Sequence, residues 1–166
     1  MINHLITKPM LIVSSSLALL AWLTLPARAE SDLHQGKYQK NLTYQGPKTG
    51  DEIIYTLYLP PGYDQRKGPY PLIFFLHGAG GGNASAQVLQ SYESARKAGA
   101  IGDFIVVFPE KYGGTVWRDG AKGKRPETNV LSELLPHLEK KYALSSNRGH
   151  RTIMGFSMGA AGSIYW

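Results

Sequence analysis

Short, continuous runs of apolar residues constrain the fold of this chain more than any other feature. Pro71–Leu76 contains the sequence Leu-Ile-Phe-Phe-Leu, and Phe104–Phe108 has the similar sequence Phe-Ile-Val-Val-Phe. Runs without polar alternation are typical of strands that are buried on both faces, as in parallel sheets. Ile53–Leu59 is β-branched and aromatic and ends before a Pro-Pro-Gly turn, and Arg151–Met154 begins another apolar run. The sequence therefore predicts these four segments as strands.

Helical periodicity lies between these runs. Ser85–Ala98 and Glu127–Tyr142 place apolar residues on one face at helical spacing. Pro136 falls inside the second segment, where it cannot donate a hydrogen bond to Ser132, and this predicts a kink. Buried strands that alternate with helices predict an α/β domain, with a mostly parallel sheet and helices on both faces.

The N-terminal residues have the pattern of a removable signal peptide. One lysine and no acidic residue precede the apolar run Met10–Leu25, and Ala27–Ala29 fits a small-x-small cleavage site. The alternative is an uncleaved anchor, but the run is shorter than the roughly 20 residues that a membrane span needs. We therefore expect residues 1–29 to be a signal peptide and residues 30–166 to be a partial α/β domain, secreted or periplasmic and without stable membrane insertion after cleavage.

Charge and cysteine content exclude several kinds of partner and site. The 166 residues include 18 Lys and Arg against 12 Asp and Glu, a net charge of +6. The basic residues are scattered apart from Lys122–Arg125, a short run in a Gly-containing loop without a nucleic-acid-binding motif around it. We therefore expect no nucleic-acid partner. Cysteine is absent, which excludes disulfides, thiolate catalysis and zinc-thiolate sites.

The sharpest chemical motif is Gly-Phe-Ser-Met-Gly at Gly155–Gly159, which matches G-x-S-x-G between an apolar strand and a predicted helix. A nucleophilic serine must project from a tight strand-to-helix turn, where side chains at the two glycines would clash. Gly162 then allows the following helix to pack closely. The alternative is a Gly-rich turn with an incidental serine. The context favours Ser157 as the catalytic nucleophile.

A second Gly-rich segment follows the predicted strand at Pro71–Leu76. The sequence His77–Gly82 is His-Gly-Ala-Gly-Gly-Gly, which resembles the loop that supplies one oxyanion N–H in serine hydrolases of this arrangement. By position that donor is Ala79, with Gly80 as the alternative, and the second donor is Met158, the residue after the nucleophile. A nucleotide phosphate loop does not fit, because its spacing needs glycine at Asn83.

Together, His77–Gly82, Asn129–Tyr142 and Arg151–Gly162 resemble the putative-esterase (esterase D-like) family of α/β-hydrolases. That family includes S-formylglutathione hydrolases, feruloyl and other carbohydrate esterases, and mycolyltransferases. The resemblance extends from about Tyr55 to Trp166. It implies an acyl-enzyme mechanism on a small-molecule or carbohydrate-linked carboxylic ester, with no metal and no cofactor.

The resemblance also bears on other candidate residues. Trp117 lies in a loop that, in similar secreted relatives, is near the active site, so it is a candidate for lining the substrate site; simple loop packing is the alternative. His77 is expected to anchor the oxyanion loop rather than act as a base. Asp103, Glu110 and Asp119 precede Ser157, whereas the order in this fold is serine, acid, histidine, so none of them fits the acid position.

Members of this family continue well beyond the nucleophile, to the acid and then the histidine, whereas this sequence ends at Trp166. A serine hydroxyl is a poor nucleophile without a positioned base. We therefore expect an exported serine esterase that is truncated before its acid and histidine and inactive as given. An acyltransferase of the same fold and a non-catalytic remnant are the alternatives.

Overall fold

The computed structural model describes residues 36–80 and 85–166. The expected signal peptide, residues 1–29, lies outside the described residues, and so do Gly81 and Gly82 of the expected oxyanion segment. Within the described part of the chain, no helix is long and apolar enough to cross a membrane.

Five strands form one mixed sheet in the order β1-β2-β4-β3-β5. The three strands β3, β4 and β5 are parallel, while β2 pairs antiparallel with both β4 and β1. The four predicted strands correspond to β2 to β5, so those predictions are confirmed. The bounds are β1 Lys37–Gln45, β2 Glu52–Leu59, β3 Leu72–Leu76, β4 Ile105–Pro109 and β5 Arg151–Gly155.

The sequence of strand β1 contains no apolar run from which a strand could be predicted. Its sequence Lys-Tyr-Gln-Lys-Asn-Leu-Thr-Tyr-Gln is largely polar, and all of its residues are at least partly exposed. The pairing register with β2 shifts between Gln39 and Leu42, and Asn41 has a left-handed φ of 54°. This irregular edge strand is stabilised by its pairing with β2, so sequence periodicity did not reveal it.

The helices lie near their predicted positions: α1 is Ser85–Lys97, α2 is Leu135–Lys141 and α3 is Met158–Tyr165. A π-helical stretch, Thr128–Leu134, leads directly into α2. In its wider turn, the N–H of Leu135 donates to the carbonyl of Val130, five residues earlier. Pro136 then lies in the first turn of α2, where a missing N–H costs little. The expected kink is therefore realised as a π-helical widening ahead of the proline.

Both faces of the central strands β2, β3 and β4 are largely buried, as predicted for β3 and β4. Alternating side chains of each strand point to opposite faces, so β2 sends Leu57 into one cluster and Tyr58 into the other. The first cluster packs against the π-helical stretch, α2 and α3, and the second packs against α1. The first cluster includes Ile53, Tyr55, Leu57, Leu72, Phe74, Leu76, Ile105, Val107, Trp117, Leu134, Leu138 and Met158; the second includes Tyr58, Phe75, Leu89, Tyr92, Val106 and Phe108.

Candidate active site

Ser157 occupies the sharp turn between β5 and α3. It has φ 53° and ψ −116°, a left-handed backbone conformation that is uncommon for any residue other than glycine. The residue is exposed, and no described side chain hydrogen-bonds to its hydroxyl. Strained conformations persist where the surrounding structure holds them, and they cluster at functional sites. The turn thus presents the Ser157 hydroxyl at the carboxyl edge of the parallel strands.

Glycines make this turn possible. A methyl group at Gly155 would lie 2.6 Å from the carbonyl oxygen of Leu76. A methyl group at Gly159 would overlap the same carbonyl and lie 2.8 Å from the carbonyl oxygen of His77. At Gly162 it would lie 2.7 Å from Cβ of Trp117. Gly155 and Gly159 therefore let the turn pack against the end of β3, and Gly162 lets α3 pack against Trp117, so all three positions need the small residue that the sequence predicted.

The loop after β3 lies directly against the turn that carries Ser157. A methyl group at Gly78 would be 3.6 Å from Cβ of Ser157, and the N–H of Phe156 donates to the carbonyl of Leu76 at 3.1 Å. Ala79 follows on this loop and is exposed. Met158 begins α3, where the first N–H groups of a helix have no intrahelical partner. The structure therefore brings the loop of Ala79 beside Ser157 and leaves the N–H of Met158 without a helical acceptor.

His77 is buried and held by neighbouring backbone. Its Nδ1 lies 2.7 Å from the carbonyl oxygen of Gly78, and its Nε2 accepts from the N–H of Tyr112 at 3.3 Å. Burial is the main cause that lowers the pKa of His77, ahead of opposing effects from the Gly78 hydrogen bond and Glu110. The imidazole is neutral and both nitrogens are occupied. His77 therefore anchors the loop and has no free nitrogen with which to act as a base.

Trp117 lies in the core beneath the same loop. Its side chain is 0% exposed, and its Nε1–H donates to the backbone carbonyl of His77 at 3.0 Å. Both Val116 and Trp117 have left-handed φ angles, 50° and 56°, and the hydroxyl of Thr115 accepts from the N–H of Trp117. The substrate-lining role considered for Trp117 does not fit this position, because no part of the ring reaches an open surface. The position of Trp117 fits the alternative, simple loop packing.

The upstream carboxylates have structural partners. Asp103 lies 3.7 Å from Arg96, and Glu110 accepts from the hydroxyl of Thr56. Asp119 accepts from the N–H of Thr128 at 3.2 Å. Each of the three carboxylates therefore takes part in a structural contact within the described chain.

Asp119 has a structural role that sequence reasoning did not predict. Its carboxylate accepts from the N–H groups of Glu127 and Thr128 and from the Thr128 hydroxyl, so it caps the π-helical stretch from the loop that leads into it. A signal could be found only in the helix start at Thr128, which lacks a capping side chain immediately before it.

No metal site is present among residues 36–80 and 85–166, where no group of three or more His, Cys, Asp or Glu side chains could hold an ion. The chemistry available there is that of an exposed serine, nearby backbone N–H groups and a neutral, anchored imidazole. Such an arrangement can attack an acyl carbon and stabilise the resulting oxyanion, provided that a base reaches the serine.

Comparisons with known proteins agree with this geometry. The family model described as "Putative esterase" matches residues 46–166. An endo-1,4-beta-xylanase/feruloyl esterase from Xylanibacter ruminicola is 28% identical over 141 residues, which cover 77% of this chain and 19% of that protein.

Solved structures give the same result. A ferulic acid esterase aligns with a TM-score of 0.65 and 28% identity, covering 78% of this chain and 52% of that one. The ferulic acid esterase from Anaeromyces mucronatus, in complex with ferulic acid, aligns with a TM-score of 0.63 and 28% identity, covering 78% and 51%. This chain thus spans about half the length of these two esterases. The alignments confirm the predicted α/β-hydrolase fold.

Proposed function

Because the chain belongs to the Putative esterase family, as its motifs predicted, we propose that it contributes the nucleophile and the oxyanion site of an exported serine carboxylic-ester hydrolase. The observation that carries this proposal is the left-handed turn at Ser157, held against Gly78 of the loop after β3. Such a turn is costly, and nothing in the packing of the core requires a serine there.

In the proposed reaction, Oγ of Ser157 attacks the acyl carbon of the ester and its proton passes to a general base. The carbonyl oxygen becomes an oxyanion that accepts from the N–H groups of Ala79 and Met158. Collapse of this intermediate expels the alcohol, which takes up the proton, and water then releases the acid from the acyl-enzyme. One oxyanion donor typically contributes about 10²–10³-fold to the rate.

The base is not among the residues that follow Ser157 in this sequence, since Met158–Trp166 contains no histidine and no carboxylate. His77 cannot replace it, because its nitrogens are occupied and buried. We therefore expect the 166-residue polypeptide on its own to hydrolyse esters no faster than its Ser157→Ala variant.

The substrate class that we propose is an ester of an aromatic or other small acid with a carbohydrate or small alcohol. The support is the similarity to two ferulic acid esterases and to an endo-1,4-beta-xylanase/feruloyl esterase. Export is proposed from the pattern of residues 1–29, and N-terminal sequencing of the exported product should find Glu30 first. A product that retains Met1 would contradict cleavage at this site.

A complemented esterase, in which the C-terminal half comes from a relative, tests the assignment of Ser157 as the nucleophile. Residues 30–166 would be fused to the C-terminal half of the Anaeromyces mucronatus esterase, which restores a complete fold. We expect hydrolysis of short acyl esters and labelling of Ser157 by a fluorophosphonate. Ser157→Ala should abolish labelling, while residual catalysis over water of about 10³–10⁴-fold remains from the oxyanion site and binding.

The matched control is Ser163→Ala, in the same helix, where the hydroxyl only donates to the carbonyl of Ala160. This variant should keep both labelling and turnover. Labelling of another serine, with activity intact in Ser157→Ala, would refute the assignment. Addition of a second alcohol distinguishes hydrolysis from acyl transfer, because a transferase converts the acyl-enzyme to a new ester.

A further inference from the structure

A polar cleft of about 420 Å³ opens between the loop after β4 and the turn that precedes β2. It is lined by charged residues that no step of the proposed reaction uses: Asp51, Glu52, Glu110, Lys111, Lys124 and Arg125. Glu110 and Lys111 directly follow β4, so the cleft opens at the carboxyl edge of the parallel strands. The Ser157 turn lies at the same edge.

The charges that line the cleft balance. Three carboxylates face three cations, and Arg125 pairs with Asp51 at 2.6 Å. The ammonium group of Lys124 donates to the backbone carbonyl of Lys111, and Lys111 itself is exposed. A cleft of zero net charge favours neither an anion nor a cation. It offers both donors and acceptors, which is the complement that a neutral, hydroxyl-rich molecule needs.

Asn129 gives an independent indication that a ligand donor belongs in this cleft. Its side chain is 2% exposed, and its Nδ2 donates to Asp51 at 2.9 Å and to the hydroxyl of Tyr112 at 3.2 Å. Among the described residues, its Oδ1 has no hydrogen-bond partner. Rotation of the amide cannot satisfy it, because Oδ1 would then face the carboxylate of Asp51. A buried acceptor without a partner costs free energy, and a hydroxyl donor would remove that cost.

The cleft is also connected to the oxyanion loop. Tyr112, which accepts from Asn129, gives its backbone N–H to the imidazole of His77. In the sheet, β4 is two strands and β2 three strands from β5, which places the cleft on the order of 10–15 Å from the Ser157 turn. A single ester can span that distance with its alcohol part.

We propose that this cleft binds the neutral sugar that forms the alcohol part of the ester, with a sugar hydroxyl donating to Oδ1 of Asn129. This inference rests on the proposed function, but binding of an unesterified sugar needs no catalysis and can be measured separately.

The test uses the full chain with Ser157→Ala and measures binding of xylotetraose and cellotetraose, both neutral, and of trigalacturonate, which is anionic, by saturation-transfer NMR. Near-ultraviolet circular dichroism of the same samples confirms that each protein is folded. We expect a neutral oligosaccharide to bind with the same Kd in the wild type and in Ser157→Ala. Sugar binding, together with full ester hydrolysis by the Ser157→Ala variant of the complemented esterase, would reject the proposed reaction and keep the sugar site.

The chain offers a matched pair of variants. Lys111 and Lys122 both have left-handed φ angles, 66° and 52°, so glycine suits the backbone at either position. Only Lys111 lines the cleft. Lys111→Gly should weaken sugar binding about tenfold, whereas Lys122→Gly, with the same loss of charge, should leave Kd unchanged.

Asn129→Leu should abolish binding, and its fold is checked by the same circular dichroism. If that variant unfolds, the difference in Kd between Lys111→Gly and Lys122→Gly tests the sugar site without it. Absence of binding by either neutral oligosaccharide to folded protein would overturn the proposal, as would equal weakening by both lysine variants. Tighter binding of trigalacturonate than of the neutral sugars would overturn the assignment of a neutral ligand.

Discussion

Gly159 shows at the scale of one residue why the turn at Ser157 needs its particular neighbours. Substitution by alanine has two opposed effects. Alanine gains about 1 kcal/mol of helix propensity over glycine, but its methyl group would overlap the Leu76 carbonyl and lie 2.8 Å from that of His77. Both oxygens belong to the backbone and cannot rotate away, so the clash should dominate.

We expect Gly159→Ala to destabilise the fold by about 1–3 kcal/mol, the usual cost of overpacking, measured by urea unfolding. Gly102→Ala is the control, since it has open space around it and no left-handed φ. That variant should be neutral or slightly stabilising. Equal stability of the two variants would show that α3 does not pack against β3 as described.

His77 should make folding stability depend on pH. Burial lowers the pKa of His77 below its ordinary value of 6.5, so below that pH the unfolded chain binds more protons than the folded chain. Stability is therefore present above pH 6.5 and falls as pH drops. We expect thermal melts from about pH 7.5 to about pH 5.5 to lose stability, and His77→Gln to flatten this slope.

A second histidine provides the comparison. Burial, with Lys141 and Lys140, also lowers the pKa of His137, which stacks on Tyr44 at 3.9 Å. Because His137 is less buried than His77, His137→Gln should flatten the slope by a smaller amount. The lowered pKa of Asp51 acts only below about pH 3.8, outside this window. A slope unchanged in His77→Gln would contradict a neutral, buried imidazole.

At the scale of elements, the π-helical stretch depends on a carboxylate in the loop that connects it to β4. Asp119 accepts from the N–H groups of Glu127 and Thr128 at 2.9 and 3.2 Å. We expect Asp119→Ala to cost about 1 kcal/mol, as for loss of an N-cap, in urea unfolding. Asp119→Asn retains an acceptor and should cost less.

Asp103→Ala is the matched control for this prediction, because the Asp103 carboxylate is partly exposed and lies 3.7 Å from Arg96. Surface changes of that kind usually stay within about 0.5 kcal/mol. In the complemented esterase, Asp119→Asn should keep turnover. Loss of turnover with stability retained would assign Asp119 a chemical role and contradict its position as a cap.

Sequence reasoning predicted the elements whose burial is reflected in the pattern of neighbouring residues. The apolar runs of β3 and β4 and the Gly-x-Ser-x-Gly turn at Gly155–Gly159 predict strands and turn together. Strand β1 was not predicted because its order depends on pairing with β2. The burial of Trp117 was not predicted because it depends on contacts with His77 and Gly162. Such long-range packing has no signature in neighbouring residues.

For the molecule as a whole, β5 is the outer strand of the described sheet and pairs only with β3 among the described residues. Next to it, an apolar cavity of about 540 Å³ is lined by Phe75, Val106 and Met154 among others, and Met154 is 43% exposed. Unpaired backbone groups beside apolar surface form a template for association.

We therefore expect the 166-residue polypeptide to self-associate with rising concentration in sedimentation velocity. Met154→Lys, on the edge strand, should reduce association, because inward-facing charge on an edge opposes pairing. Ile164→Lys is the control, since Ile164 is 89% exposed but lies on α3. An equal effect of both variants would attribute association to general hydrophobicity rather than to β5.

The position of β3 between β4 and β5 has a consequence for the time at which the site can form during protein synthesis. Leu72 pairs with Ile105 on one side and with Arg151 on the other, so one edge of β3 stays open until the ribosome has made β5. The contact of Gly159 with the carbonyls of Leu76 and His77 also cannot form until β5 has been made. Pairing between such distant segments is slow. A polypeptide of this design therefore emerges without the turn at Ser157 and completes it only at the end of this sequence.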